Sequence, residues 1–318
     1  MKQEDTGDTV IETGKRLRAA CISVVIGTRN RPSDLVLCLQ SLAKQDHPSY
    51  EVVVVDQSTS EEARIAVREA IGDPAWLQLI PSPTVGRSNA LNIALETCSS
   101  DIIAFTDDDC AMPTDWVSRI DSFFNENPEV DIVTGPVHAG SAKGAKGPVY
   151  FPSLYFTERR VVEVGEVAGM GANMAFRRSI IKKVGGFDPY LGTGAFFQAG
   201  EDTDLVYRCQ LAGSAAVREP SLTITHLAWR SLDEWNKVLY KYGFGDAAYG
   251  MKHVRCRDWA MARRTFGQAA YIFARLMWRL ICRHPHQEQY YLHGFWDGVK
   301  ASRRWVVDTK TRLYCEKA

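Results

Sequence analysis

The chain has 318 residues, enough for one large domain or a main domain with an appendage, and for a substantial buried core. Hydrophobic residues make up 45% and charged residues 24%, a globular balance that excludes a disordered or fibrous protein. Lys plus Arg and Asp plus Glu stand at 38 each, so the whole chain has no general attraction for nucleic acid and any anion binding must be local.

Met1 to Arg18 are polar with no apolar core, which predicts a disordered lead over residues 1–19 and no secretory leader. Cysteines 21, 38, 98, 110, 209, 256, 282 and 315 form no C-x-x-C pair, and most sit in apolar patterns. They read as thiols in a reducing, cytoplasmic setting, not as a disulfide framework or zinc site. No apolar run is long enough to span a bilayer.

Cys21–Ile26 is a β-branched run suited to a strand buried on both faces, and Pro32 opens a helix with Leu35, Leu39 and Leu42 on one side. Glu51–Asp56 predicts a second buried strand, 61–71 a helix and 76–80 a third strand. Gly86 opens a helix through Leu95, and Asp101–Asp109 is a fourth strand carrying three successive aspartates at its end. Strand and helix alternating in this way predict right-handed βαβ units, a mostly parallel sheet, and ligand binding at the carboxyl ends of the strands. Thr28, Asp56, Gly86 and Asp107–Asp109 then share one rim. Mutual repulsion of the three carboxylates suits a cation or a polyhydroxylated ligand, with a solvated acidic turn as the plain alternative.

Further along, a helix is expected to Asn127, a strand over 130–137, a mobile glycine- and lysine-bearing loop over 138–149, and a strand over 169–176 approached closely by something. A glycine-rich and aromatic loop, 185–200, ends where Glu201, Asp202 and Asp204 open a helix. Those acids serve either as dipole-matched caps or as site residues. His226 ends a short strand, as a structural histidine or a ligand. From Leu232 the pattern is helical. Residues 263–283 combine an apolar stripe with Arg263, Arg264, Arg275, Arg279 and Arg283, which fits either a packed helix with a basic solvent face or an interfacial helix on anionic lipid.

The ordered set Ser23–Asn30, Val53–Asp56, Gly86–Asn92, Ala104–Asp109, Gly171–Phe176, Gly185–Asp188, Gly200–Leu205 and His226 resembles the inverting glycosyltransferase family 2, over roughly residues 20–230. The resemblance implies a GT-A fold, a Rossmann-like α/β sheet flanked by helices. The nucleotide half would span 20–110, the acceptor half 111–230, and a helical extension 231–318. It implies Thr28, Arg29, Asp56, Gly86, Arg87, Asn92, Asp107 and Asp108 as donor-nucleotide residues. Asp109, His226 and Asp107 would hold Mn2+ or Mg2+, and Asp202 would be the general base. Glu201, Asp204 and Asn173 fall to the acceptor side, whose substrate is a carbohydrate, lipid-linked or small-molecule hydroxyl. Leu91 stands where relatives often carry arginine, and Arg87 is the candidate to supply that charge. A sugar nucleotidyltransferase is disfavoured because Gly27–Pro32 has a single glycine. A catalytically inactive relative is disfavoured by Asp109 and Asp202 occurring together. A cytoplasmic location follows, with peripheral contact at the inner membrane face through 263–283 as a further expectation.

Overall fold

A computed structural model describes residues 22–142 and 147–316. The expected lead, Cys21, and Lys143 and Lys146 of the expected mobile loop lie outside the described residues. The first half alternates as the pattern predicts: β1 (Ile22–Thr28), α1 (Pro32–Leu42), β2 (Tyr50–Asp56), α2 (Glu62–Ala70), β3 (Leu77–Pro81), α3 (Arg87–Thr97) and β4 (Ile102–Phe105). Next come β5 (Cys110–Ala111), α4 (Trp116–Glu126), β6 (Ile132–Thr134), β7 (Val137–Ala139), β8 (Arg160–Val161), β9 (Met174–Arg177), α5 (Arg178–Val184), α6 (Glu201–Leu211), β10 (Ala216–Arg218) and β11 (Ile224–His226). The remainder is α7 (Leu232–Arg255), α8 (Trp259–Ile281), α9 (Glu288–Ser302) and a hairpin, β12 (Val306–Asp308) with β13 (Leu313–Cys315).

An eight-stranded sheet runs β3-β2-β1-β4-β9-β6-β10-β8, with β1 to β4 parallel and β9 antiparallel between β4 and β6. Each β-branched run is buried on both faces, which is why it reads as continuous and not alternating. Val24, Ile26, Val52 and Val54 pack with Leu35, Leu39, Trp116 and Ile120 on one face. On the other, Val25, Val53 and Val55 pack with Leu91, Ile181 and Leu205. β1 pairs with β2 on one side and β4 on the other, so strand order reverses there and leaves a crevice at the carboxyl ends.

Two expected strands are shorter than the sequence suggests. The run 130–137 splits into β6 and β7 at Gly135, where a Cβ would lie 1.7 Å from the Leu222 carbonyl oxygen. Beyond that crossing, β7 leaves the main sheet for a three-stranded one, β5-β11-β7. The run 169–176 keeps only β9, because residues 169–173 form a loop pressed against Thr134 and Asp202. The helical extension packs α7 on α9 at near-backbone contact. A Cβ on Gly243 would lie 2.0 Å from the Tyr291 carbonyl oxygen, and one on Gly294 would lie 2.0 Å from that of Tyr240. No helix among the described residues is long and apolar enough to cross a membrane.

Candidate active site

The site forms where the strand ends meet. Parallel register sets Thr28 of β1 opposite Asp56 of β2, and β4 delivers Asp107–Asp109 beside them. Asp56 is buried and accepts from the Ser58 backbone N–H at 2.9 Å. Thr28 donates its hydroxyl to Asp108 Oδ2 at 2.7 Å. Arg29 is exposed on the loop that follows. Gly86 caps α3, with its carbonyl accepting from Gln57 Nε2 at 3.0 Å.

The three aspartates have three different partners. Asp107 is held by Arg87 Nη2 at 2.7 Å. Asp108 and Asp109 are bridged by Arg31, whose two terminal nitrogens each lie 2.6 Å from a carboxylate oxygen. Burial pushes the Asp108 carboxyl up to about 7, against the pull of Arg31. For Asp109 burial acts in the same direction, but His226, Arg31 and Arg230 outweigh it and hold the carboxyl below its ordinary range.

His226 reaches Asp109 through the small sheet, in which β11 pairs His226 with Cys110 of β5 and the Leu227 N–H donates to the Asp109 carbonyl at 2.8 Å. Its Nδ1 donates to the Ala228 carbonyl at 3.1 Å, which turns Nε2 toward Asp109 Oδ1 at 3.4 Å. A protonated ring pairs with Asp109 directly, whereas a neutral ring in that tautomer turns a nitrogen lone pair to the carboxylate, an arrangement that a cation completes. Ligand atoms of Asp109, Cys110 and His226 all lie within 4.8 Å of one another. Burial, then Asp107 and Asp109, push the Cys110 thiol well above its ordinary range, which disfavours it as a ligand beside Asp109 and His226. The oxygen and imidazole donors that remain fit Mn2+, or Mg2+ less well.

Across the crevice stands the first turn of α6. Asp202 accepts from the Gly171 N–H at 2.6 Å and from the Thr203 N–H at 2.7 Å, which fixes the direction of its carboxylate. Glu201 is buried and bound to Arg87 Nη1 at 2.9 Å. Burial and then the neighbouring Asp202 raise its carboxyl to about 7 despite Arg87. Arg87 also donates to the Gly171 carbonyl at 3.0 Å, so one guanidinium ties the Asp107 end of the crevice to the Asp202 end.

Several expected site residues are occupied elsewhere. Asp204 is fully buried, accepting from Arg208 at 2.8 Å, Lys252 at 2.7 Å and His253 at 2.9 Å, so an acceptor cannot reach it. Asn173 is buried too: its amide donates to the Pro136 and Leu222 carbonyls at 2.9 and 2.5 Å, and its oxygen accepts from Trp116 at 3.1 Å. Asn92 ties α3 to the 185–200 loop, exchanging hydrogen bonds with the backbone N–H and carbonyl of Phe187. Asp107 belongs to Arg87 more than to the Asp109–His226 pair. Sequence reasoning passed over Arg31 and Arg230, the latter 3.8 Å from Asp109. The signal for Arg31 was a second basic residue directly before the helix-opening Pro32, beside the expected acidic rim.

A Rossmann-like sheet with a divided strand order, an acidic turn after β4 and a second acidic turn facing it define the GT-A class of proteins. Residues 23–185 match the family model described as glycosyl transferase family 2, just over half of the chain, and the chain belongs to that family. A pre-mycofactocin glycosyltransferase of Mycobacterium tuberculosis is 26% identical over 240 residues, covering 73% of this chain and 48% of the relative. A glucosyl-dolichyl phosphate glucuronosyltransferase of Haloferax volcanii is 24% identical over 232 residues, 69% of this chain and 73% of the relative. Among solved structures, a mannosyltransferase from Pyrobaculum calidifontis, in complex with GDP-Man and Mn2+, superposes with a TM-score of 0.60 at 16% identity, over 90% of this chain and 86% of that one. The chain spans about half the length of the first of these relatives, at 48%.

Proposed function

We propose that the chain is an inverting glycosyltransferase that moves a sugar from a nucleotide-diphosphate-sugar to an acceptor hydroxyl, assisted by a divalent cation. The observation that carries the reading is the pairing of His226 Nε2 with Asp109 Oδ1 at 3.4 Å, with Arg87 joining the neighbouring Asp107 to Glu201 in the turn that bears Asp202. Asp109 and His226 would hold the cation, and its positive charge would favour departure of the diphosphate. Asp56 and Thr28 line the nucleotide end, while Arg87, one helical turn before Leu91, is the charge available to the phosphates. Asp202, aimed by two backbone N–H groups, takes the proton from the acceptor hydroxyl as that oxygen attacks the anomeric carbon. Attack from the face opposite the leaving group inverts the centre.

A thermal-shift panel of nucleoside diphosphates and their sugars, with and without Mn2+, tests this. Mn2+-dependent stabilisation by at least one base is expected, and its absence across the panel would end the reading.

A peripheral membrane location is a second part of the proposal. Trp259, Tyr271, Phe273, Trp278 and Ile281 of α8 are 75%, 66%, 54%, 56% and 77% exposed, beside Arg275, Arg279 and Arg283. Aromatic and arginine side chains on one exposed helix suit an anionic lipid surface.

A further inference from the structure

Helix α7 contributes an aromatic ledge to the crevice. Trp235, Leu239, Tyr242 and Asp246 recur at helical spacing along one side of it. The ring of Trp235 stacks on Tyr150 with centroids 5.7 Å apart and planes 8° from parallel, and it meets Tyr242 edge-on at 6.3 Å. One end of the ledge is fixed to the candidate metal site. Tyr150 and Arg230 exchange both backbone hydrogen bonds, at 2.9 and 2.8 Å, and Arg230 lies 3.8 Å from Asp109. The other end abuts the start of α6: a Cβ on Gly245 of α7 would lie 2.5 Å from the Ala199 carbonyl oxygen, and Asp202 and Glu201 are among the charges around the Tyr242 phenol. Asp246 stands at the same end, half-buried, accepting from the Tyr291 hydroxyl at 2.8 Å, with Asp202 again its charged neighbour. Tyr242 remains 37% exposed, so part of its ring is not packed away.

From Trp235 to Tyr242 the helix rises about 10 Å, at 1.5 Å per residue. The ledge therefore runs from the Arg230 side, next to Asp109, toward the start of α6. The nucleobase belongs at the opposite flank, at Asp56 on β2, because β1 separates that strand from β4. Between leaving group and base lie first the transferred sugar and then the acceptor, so the Tyr242 end of the ledge, beside Asp202, falls to the acceptor. A pyranose ring has one face of C–H bonds, which matches the negative face of an aromatic ring, and equatorial hydroxyls that seek carboxylates.

We propose that Trp235 and Tyr242, backed by Tyr150, form the platform for a pyranose ring of the acceptor, with Asp246 receiving one of its hydroxyls. The acceptor is then a glycoside, its sugar ring recognised by the helical extension and not by the sheet. This rests on reading the crevice as a glycosyl-transfer site, and the test separates the two.

Release of nucleoside diphosphate from the best donor is measured without acceptor, then with octyl glucoside, octyl mannoside or octanol. Donor turnover with water alone reports the transfer reading. The ledge predicts acceleration by an octyl glycoside but not by octanol. It also predicts that Trp235→Ala and Tyr242→Ala raise the half-saturating glycoside concentration about tenfold or more, with a smaller change in the rate at saturating glycoside. Acceleration by octanol equal to that by the glycosides, or unchanged glycoside dependence in both variants, overturns the platform. Saturation-transfer NMR of the octyl glycosides, compared between the wild type, Trp235→Phe and Trp235→Ala, reads the same contact without turnover. No transfer to either glycoside in the wild type overturns it as well. Trp235→Phe keeps an aromatic face and is expected to retain binding, which distinguishes loss of the platform from loss of the fold.

Discussion

The two ends of the first turn of α6 hold clusters of charge that look alike in sequence and behave differently. At the crevice, Asp107, Asp108, Asp109, Glu201 and Asp202 face Arg31, Arg87 and Arg230, an excess of carboxylates in a half-open cleft. Three residues on, Asp204 and Asp188 face Lys252 and Arg208 with none of these four side chains more than 2% exposed, and His253 adds a further hydrogen bond. The second cluster balances its own charge and is closed, so it acts as a strut between the sheet and the helical extension. The first leaves charge uncompensated, which is where a cation and a diphosphate donor have something to do. Acidic residues at a helix start thus divide by whether the opposing cations arrive in matching number.

Asp202→Asn breaks the open cluster with the largest expected effect. Removing a general base lowers turnover by about 10²–10⁴-fold, while the amide oxygen keeps the hydrogen bond from Gly171 and gives up the one from Thr203, so the melting temperature falls by only a few degrees. Equal donor turnover in the variant would move the base elsewhere on the crevice. Lys252→Met breaks the closed cluster and has the opposite signature. It strands Asp188 and half of Asp204 in a dry interior, at a cost of about 3–5 kcal/mol, and lowers the melting temperature by roughly 10 °C. An unchanged melting temperature would show that the strut is not bearing on stability.

The same contrast appears in pH dependence, measured in chelator without donor. The Glu201 carboxyl is raised to about 7 by burial and by Asp202, so its contribution to stability is present below its ordinary pKa of 4.5 and is lost as pH rises through about 7. Glu201→Gln removes that loss, and the variant is expected to gain on the wild type between those pH values by about 3 kcal/mol. Asp204 runs the other way. Burial opposes its charge, but Lys252 and Arg208 hold its carboxyl below its ordinary 3.8, so its stabilisation is present above that value and is lost in acid. A flat difference curve for Glu201→Gln would place its carboxyl back in the ordinary range.

Much of the sheet, and the gathering of polar residues on one rim of it, were legible because they follow from local rules. β-branched runs mark strands buried on both faces, and polar residues at their carboxyl ends gather at the strand-order reversal; Thr28, Asp56 and Asp107–Asp109 were found that way. What failed depends on partners distant in sequence. Asp204 has the same helix-start setting as Asp202, and nothing near it announces Lys252 from α7. Asn173 was expected on the acceptor side of a strand over 169–176, but its loop is enclosed by Trp116, Pro136 and Leu222. The hairpin β12–β13 was invisible because each strand is three residues long and Thr309–Arg312 contains no glycine or asparagine to mark a turn. Trp235 and Tyr242 were not singled out, because from Leu232 the sequence shows only a helical pattern and their ring contacts appear in the fold.

The smallest expected effect concerns α8, where the two readings left open by the sequence are only half reconciled by packing. Met261, Thr265 and Ala269 are its buried residues, all in the first half, whereas Phe273, Met277, Trp278 and Ile281 are exposed beyond them. Arg275 and Arg279 both reach Glu288, at 2.8 and 3.3 Å, so part of the basic charge is already neutralised within the protein. Attraction to an anionic surface then comes from the remaining arginines at about 1 kcal/mol each, and the aromatic side chains supply most of the binding. Co-sedimentation with vesicles of phosphatidylcholine and phosphatidylglycerol is expected at low salt and weaker at high salt, with Trp278→Glu reducing it further than Arg283→Gln does. Equal loss from the two substitutions would make charge the main attraction, and no co-sedimentation at low salt would leave α8 a solvent-facing helix.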